Sequence, residues 1–242
     1  MHDLELRLRN AVKEFWATRH RQASSQGKPS GEKDTGARAA VTGGAQMNGF
    51  VELIRDLLLE NGAPPDSIHR NRNVELPGWY RAEKSWDLVL VLQGELIAAI
   101  EFKSQVGPSF GNNFNNRTEE ALGSATDLWA AFREGAFRPS SRPWLGYLMM
   151  LEECRRSTSP VTVREPHFDV FPEFKAASYE RRYALLIEKL LRDRLYDGGC
   201  FLISQQSSAT SGDYREPNPE LTFNRFVAPL LGRLQAQMNL RK

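Results

Sequence analysis

The stretch SWDLVLVLQGELIAAIEFKSQ sets charged groups at the two ends of a run of Leu, Val, Ile and Ala. Asp87 opens it, and Glu101 and Lys103 close it. The segments on either side of Gln93-Gly94 read as arms of a β-hairpin, apolar on both faces and therefore central in a covered sheet. Side chains alternate along a strand, so Glu101, Lys103 and Gln105 share one face while Phe102 and Ser104 take the other. Burying two acids and an amine in such surroundings is costly unless something uses them. Hard carboxylate oxygens suit Mg²⁺, which takes few protein ligands and keeps several waters. Asp87 and Glu101 are the candidate ligands, with the backbone carbonyl of Phe102 as a third. Lys103 beside the ion would orient or deprotonate a water and offset charge on a phosphate. This set suits hydrolysis of a phosphodiester. The plainer use of the same charges is a buried ion pair that holds the hairpin in register.

Asp87 and Glu101 share a face only if they pair directly, which needs an odd-length turn or a β-bulge. A three-residue loop at 93–95 pairs Leu92 with Leu96 and hence Asp87 with Glu101. A two-residue turn at Gln93-Gly94 alone sends them to opposite faces. Both arms are apolar throughout, so the pattern does not choose; the expectation is the odd loop or a bulge.

Around this hairpin the order of elements describes a compact α/β domain with one mixed sheet flanked by helices. Leu4, Leu8, Ala11, Val12, Phe15 and Trp16 recur at helical spacing. QASSQGKPSGEKDTG, from Gln22, reads as a flexible loop or arm extending to residue 40. Asn48 is a fitting N-cap for a second helix that Asn61-Gly62 stops. A strand is expected over Ile68–Leu76. After the hairpin, GPSFGNNFNN reads as a loop leading to a helix from about Thr118, with Leu122, Ala125, Leu128, Trp129 and Phe132 as its buried stripe. Trp144–Leu151 is a buried strand. A helix over Ser178–Tyr196, a strand near Phe201–Ser204 and a last helix from Thr222 follow. The expected organisation is one domain, with a catalytic core over 41–151 and a C-terminal helical elaboration over 152–242.

With 32 basic and 30 acidic residues in 242, the chain is not built to coat nucleic acid indiscriminately, so a polyanion must be gripped by local clusters. A mean hydropathy of -0.50 without a spanning apolar run excludes an integral membrane helix. Two cysteines outside any CxxC pair, and no secretory signal, lead us to expect a reducing bacterial cytoplasm. The four histidines show no metal spacing, and Val41-Thr42-Gly43-Gly44 lacks the spacing of a nucleotide-binding loop.

An acid followed by E-x-K on a hairpin, within this order of helices and strands, resembles the PD-(D/E)xK nuclease superfamily. Trp86 stands where that pattern often has proline. The longer run EFKSQVGPSFGNNFNNRTEEALG, continuing through ATDLWAAFREGAF, resembles the XhoI family of type II restriction endonucleases. The resemblance extends from Val41 to about Tyr179. It implies a restriction-endonuclease-like core that hydrolyses double-stranded DNA at the palindrome CTCGAG with Mg²⁺. It also implies a homodimer and a cognate DNA methyltransferase that acts in the same system without direct binding. Asp87, Glu101 and Lys103 take the catalytic positions, and Glu52 on the second helix is a further candidate ligand. Asn112, Asn113, Asn115, Asn116 and Arg117 are amides and a guanidinium suited to base edges or phosphates. Other readings are a repair or structure-specific nuclease of the same fold, or a relative that binds DNA without cutting.

Overall fold

A computed structural model describes residues 2–26 and 44–240. Its first helix, α1 (His2–Gln26), is followed by a 3-10 turn over Ala45–Met47 that runs into α2 (Asn48–Glu60). Three short strands come next: β1 (Ile68–His69), β2 (Glu75–Pro77) and β3 (Glu83–Ser85). The hairpin is β4 (Leu88–Leu92) and β5 (Glu95–Gln105), and α3 (Phe110–Arg133) and β6 (Trp144–Glu152) follow it. The chain closes with α4 (Arg155–Thr158), α5 (Tyr179–Arg192), β7 (Gly198–Ser204) and α6 (Phe223–Asn239).

The central sheet has five strands in the order β1-β4-β5-β6-β7. β1, β4 and β5 are antiparallel, whereas β5, β6 and β7 run parallel. One face is buried by α1, α2 and α6, the other by α3 and α5. Covered on both sides, the strands read as unbroken apolar runs rather than alternating ones. The segment from 152 onward thus does more than add helices, since it supplies β7 and the α5 and α6 cover.

The hairpin register answers the condition on the two acids. Gln93 (φ 50°) and Gly94 (φ 81°) form a two-residue turn of the mirror-image kind that hairpins favour, pairing Leu92 with Glu95. Taken alone, that turn separates the acids. The register then shifts between Leu90 and Val91, because Val91 pairs with Leu96 but Leu90 pairs with Ala98. Ile97 is the extra residue, and it and Ala98 both join the core under α1, α2 and α6. Past this bulge Leu88 opposes Ile100, which sets Asp87 opposite Glu101.

Several boundaries differ from the sequence expectations, each for a local reason. α1 continues through Gln22 to Gln26, where the Ser24 hydroxyl donates back to the carbonyl of His20 at 3.0 Å. The remainder of the expected arm, 27–40, and Val41-Thr42-Gly43 lie outside the described residues. Asn48 is the first residue of α2 rather than its cap, because the turn over Ala45–Met47 leads into it. The strand expected over Ile68–Leu76 is two strands in separate sheets, divided by Asn71 (φ 63°) and Asn73 (φ 55°), residues that tolerate left-handed backbone.

The largest difference is at α3, which begins at Phe110 rather than Thr118. Phe110 stacks on Tyr179 at 5.7 Å and Phe114, one turn on, meets Tyr183 edge-on at 5.1 Å. Those contacts outweigh the poor helix propensity of Gly and Asn. Its stripe passes through Ala121, while Leu122 is exposed.

The turn is testable by itself. A Cβ at Gly94 would meet nothing within 4 Å, so the cost of Gly94→Ala lies in the backbone. Urea melts should show a loss of about 1 kcal/mol from the positive φ. An unchanged midpoint would contradict the turn geometry.

Candidate active site

Asp87 stands just before β4, half-buried, and its Oδ2 accepts the backbone N–H of Phe102 at 2.7 Å. A strand residue in an antiparallel pair sends its N–H and C=O to the same side, so the Phe102 carbonyl also leaves β5 toward Asp87. Glu101, 2% exposed, lies between two amines. Lys103 Nζ is 2.6 Å from its Oε2. Lys84, on β3, is paired with Oε1. The structure therefore brings Asp87, Glu101 and Lys103 to one end and one face of the hairpin, and adds a second lysine.

Lys84 was not legible as a site residue, because EKS looks like an ordinary solvated segment. The small β2–β3 hairpin carries it in. Leu76 pairs with Lys84, and Trp86 N–H donates to the carbonyl of Val74 at 3.0 Å, leading the chain directly into Asp87. The tip is fastened to α3 by Asp127, which is 3% exposed. Its Oδ1 accepts from the backbone N–H of Trp79 and of Tyr80 at 2.7 and 2.8 Å, and its Oδ2 from Arg81 Nε at 2.6 Å. Burial works against that carboxylate's charge, but the Tyr80 amide, Arg81 and the Trp79 amide hold its pKa below the usual range. Gly78 is required here, since a Cβ would come within 2.4 Å of Asp127 Oδ2. Trp79 and Tyr80 themselves are exposed at the tip.

The two lysines are not equivalent. Lys84 packs over the Trp86 ring at 4.1 Å and donates to the carbonyl of Ser85 at 3.0 Å. Burial, and after it the charge of Lys103, push its ammonium down to about 7.

The donor set fits Mg²⁺. The register sets the two hard-carboxylate residues opposite each other, and a backbone carbonyl leaves on the same side. No cluster of three or more His, Cys, Asp or Glu exists among the described residues to form an all-protein cage. Mg²⁺ takes few protein ligands and keeps several waters. A cleft of about 260 Å³ borders Asp87 and is lined by Asn48, Val51, Asn71 and Trp86, not by Glu52. Glu52 is instead paired with Arg70, and lies 3.8 Å from Arg55.

Asn112, Asn113, Asn115, Asn116 and Arg117 lie on the first turns of α3, not on a loop. Asn112, Asn115 and Asn116 are exposed, whereas Asn113 and Arg117 border a second cavity at the end of β5. Arg117 Nη1 donates to Glu120 at 2.6 Å.

Comparison with known proteins places these residues in context. The family described as restriction endonuclease XhoI matches residues 26–216. The chain is 51% identical over 209 residues to the type II restriction enzyme BstVI of Geobacillus stearothermophilus, covering 84% of this chain and 93% of that protein. It is 45% identical over 186 residues to the type II restriction enzyme XhoI of Xanthomonas vasicola, covering 76% and 73% respectively. For the type II restriction enzyme AbrI of Azospirillum brasilense the figures are 46% over 167 residues, 69% and 74%. No solved structure matches.

The charge arrangement makes a direct prediction. Glu101→Gln leaves two ammonium groups facing an amide. Removing one partner of a buried pair costs about 3–5 kcal/mol, and side chains that can still reach water reduce this to about 1–3 kcal/mol. Urea denaturation in EDTA should show that loss. A loss under about 0.5 kcal/mol would show that Glu101 does not hold the lysines.

Proposed function

The chain belongs to the XhoI family of restriction endonucleases and is a type II site-specific deoxyribonuclease, and from that premise we propose that it cuts duplex DNA at the palindrome CTCGAG in a Mg²⁺-dependent reaction at Asp87, Glu101 and Lys103. The observation that carries this reading is the bulged register, which turns both carboxylates to the face where Lys103 stands 2.6 Å from Glu101.

Asp87 and Glu101, with the Phe102 carbonyl, would hold the metal ion. Bound there, Mg²⁺ supplies positive charge to a phosphate oxygen and acidifies a nearby water. Lys103, its side chain 23% exposed, is anchored on Glu101 at 2.6 Å. It positions the attacking water by hydrogen bonding and offsets the negative charge that builds on the phosphate. One P–O bond forms to the water oxygen as the bond to the leaving sugar oxygen breaks, and that oxygen takes up a proton. The N–H of Phe102 fixes Asp87, so the backbone of one ligand orients the side chain of the other.

A palindrome is two-fold symmetric, so cutting both strands calls for a homodimer with one site per strand. Asn112, Asn115 and Asn116, exposed on the first turns of α3, are suited to base edges, because a helix fits the major groove. In the cell a cognate DNA methyltransferase would protect the same sequence without binding this protein. Among the described residues no helix is long and apolar enough to cross a membrane.

Incubation with plasmids that carry or lack CTCGAG tests the proposal. Discrete fragments should come only from the first, should vanish in EDTA, and should form at least ~10²-fold more slowly with Lys103→Ala. Fragments from both plasmids would refute the specificity, and undiminished cutting in EDTA would refute the metal dependence.

A further inference from the structure

Beyond Lys103 the sheet opens into a second cavity of about 390 Å³, between the end of α1, the end of β5 and the start of α3. Its described lining includes two guanidinium groups, Arg19 and Arg117, and no carboxylate. Three buried N–H donors on that lining have no hydrogen-bond partner among the described residues: Nε of Arg19, Nε of Arg117 and Nε2 of Gln105. Gln105, on the cavity lining, is 2% exposed, and its Oε1 is taken by the Tyr183 hydroxyl, so its donor end is the one left without a described partner. Arg19 and Arg117 are each committed through Nη1, to Gln22 at 3.3 Å and to Glu120 at 2.6 Å. Buried donors are nearly always satisfied, so three of the same sense around one cavity ask for an acceptor beyond the described residues. Ser109, on the lining and at the N-cap position of α3, makes no side-chain cap, and a helix N-terminus adds positive potential.

Position selects the anion. Lys103 and Gln105 share a face of β5 two residues apart, about 7 Å along the strand. That distance matches the step between neighbouring phosphates of one DNA strand. Resting on the nuclease reading above, we propose that this cavity seats the backbone phosphate adjacent to the one being cleaved, with Arg19, Gln105 and Arg117 as its donors. The contact sets the register of the strand over Lys103 and carries no base information of its own.

A methylphosphonate scan tests this on the wild-type protein. Each phosphate of a duplex bearing the cleaved sequence is replaced in turn by the uncharged group, and binding is measured without divalent metal. Binding should weaken about 10-fold at one phosphate adjacent to the cut in each strand, the equivalent of a single lost charged contact. Arg19→Gln should bind cognate and unrelated duplexes about equally more weakly, with a salt dependence shallower by about 0.9. It should also be insensitive to that methylphosphonate. Gln105→Met should weaken binding with the salt slope unchanged, since no charge is lost. A scan without effect at phosphates adjacent to the cut, or an Arg19→Gln defect confined to the cognate sequence, overturns the proposal. A protein that cuts its site normally yet shows a flat scan loses only this subsite. One that cuts no duplex at all refutes the nuclease reading instead.

Discussion

A strand alternates its side chains between two faces, so one extra residue decides which groups can meet. Here that residue is Ile97. The turn at Gln93-Gly94 alone would put Asp87 and Glu101 on opposite sides of the sheet. The bulge reverses this for every residue between itself and the foot of β4. Two carboxylates then oppose each other where the apolar run ends, and the remaining features of the site can be built around them. A bulge beside a reactive site is a recurrent way to re-aim a side chain.

With the acids on one face, their charge has to be managed. Glu101 is nearly inaccessible to water and is held between Lys84 and Lys103. An isolated buried carboxylate would be protonated rather than charged, and a protonated acid is a poor ligand for a hard cation. The two lysines supply the opposite charge that a buried carboxylate needs. They differ in origin, since Lys103 comes from the same strand whereas Lys84 arrives on a side hairpin pinned to α3 by Asp127. That pinning ties the placement of Lys84 to the helix whose first turns carry the asparagines.

Much of this was legible in the sequence. The apolar arms, the acids at their ends and the order of flanking elements follow from residue pattern alone, and alternation put Gln105 on the face of Glu101 and Lys103. The register was not legible, because both arms are apolar on both faces and either alignment buries the same surface. The start of α3 was hidden because Gly and Asn signal a loop locally. The contacts that override them, from Phe110 and Phe114 to Tyr179 and Tyr183, reach far along the chain. Lys84 was hidden for the same kind of reason: its nearness to Glu101 exists only once β2 and β3 pair. Local composition misled wherever a distant partner supplied the energy.

The central claim is that Asp87 and Glu101 form a single cation site. Titration of Mn²⁺ into the protein, with the free ion followed by electron paramagnetic resonance, measures this most directly. Asp87→Asn and Glu101→Gln should each abolish the same binding event, and the double variant should lose no more than either single one. Binding that survives in one single variant at wild-type strength would mean that the two carboxylates do not share an ion, and would contradict the account.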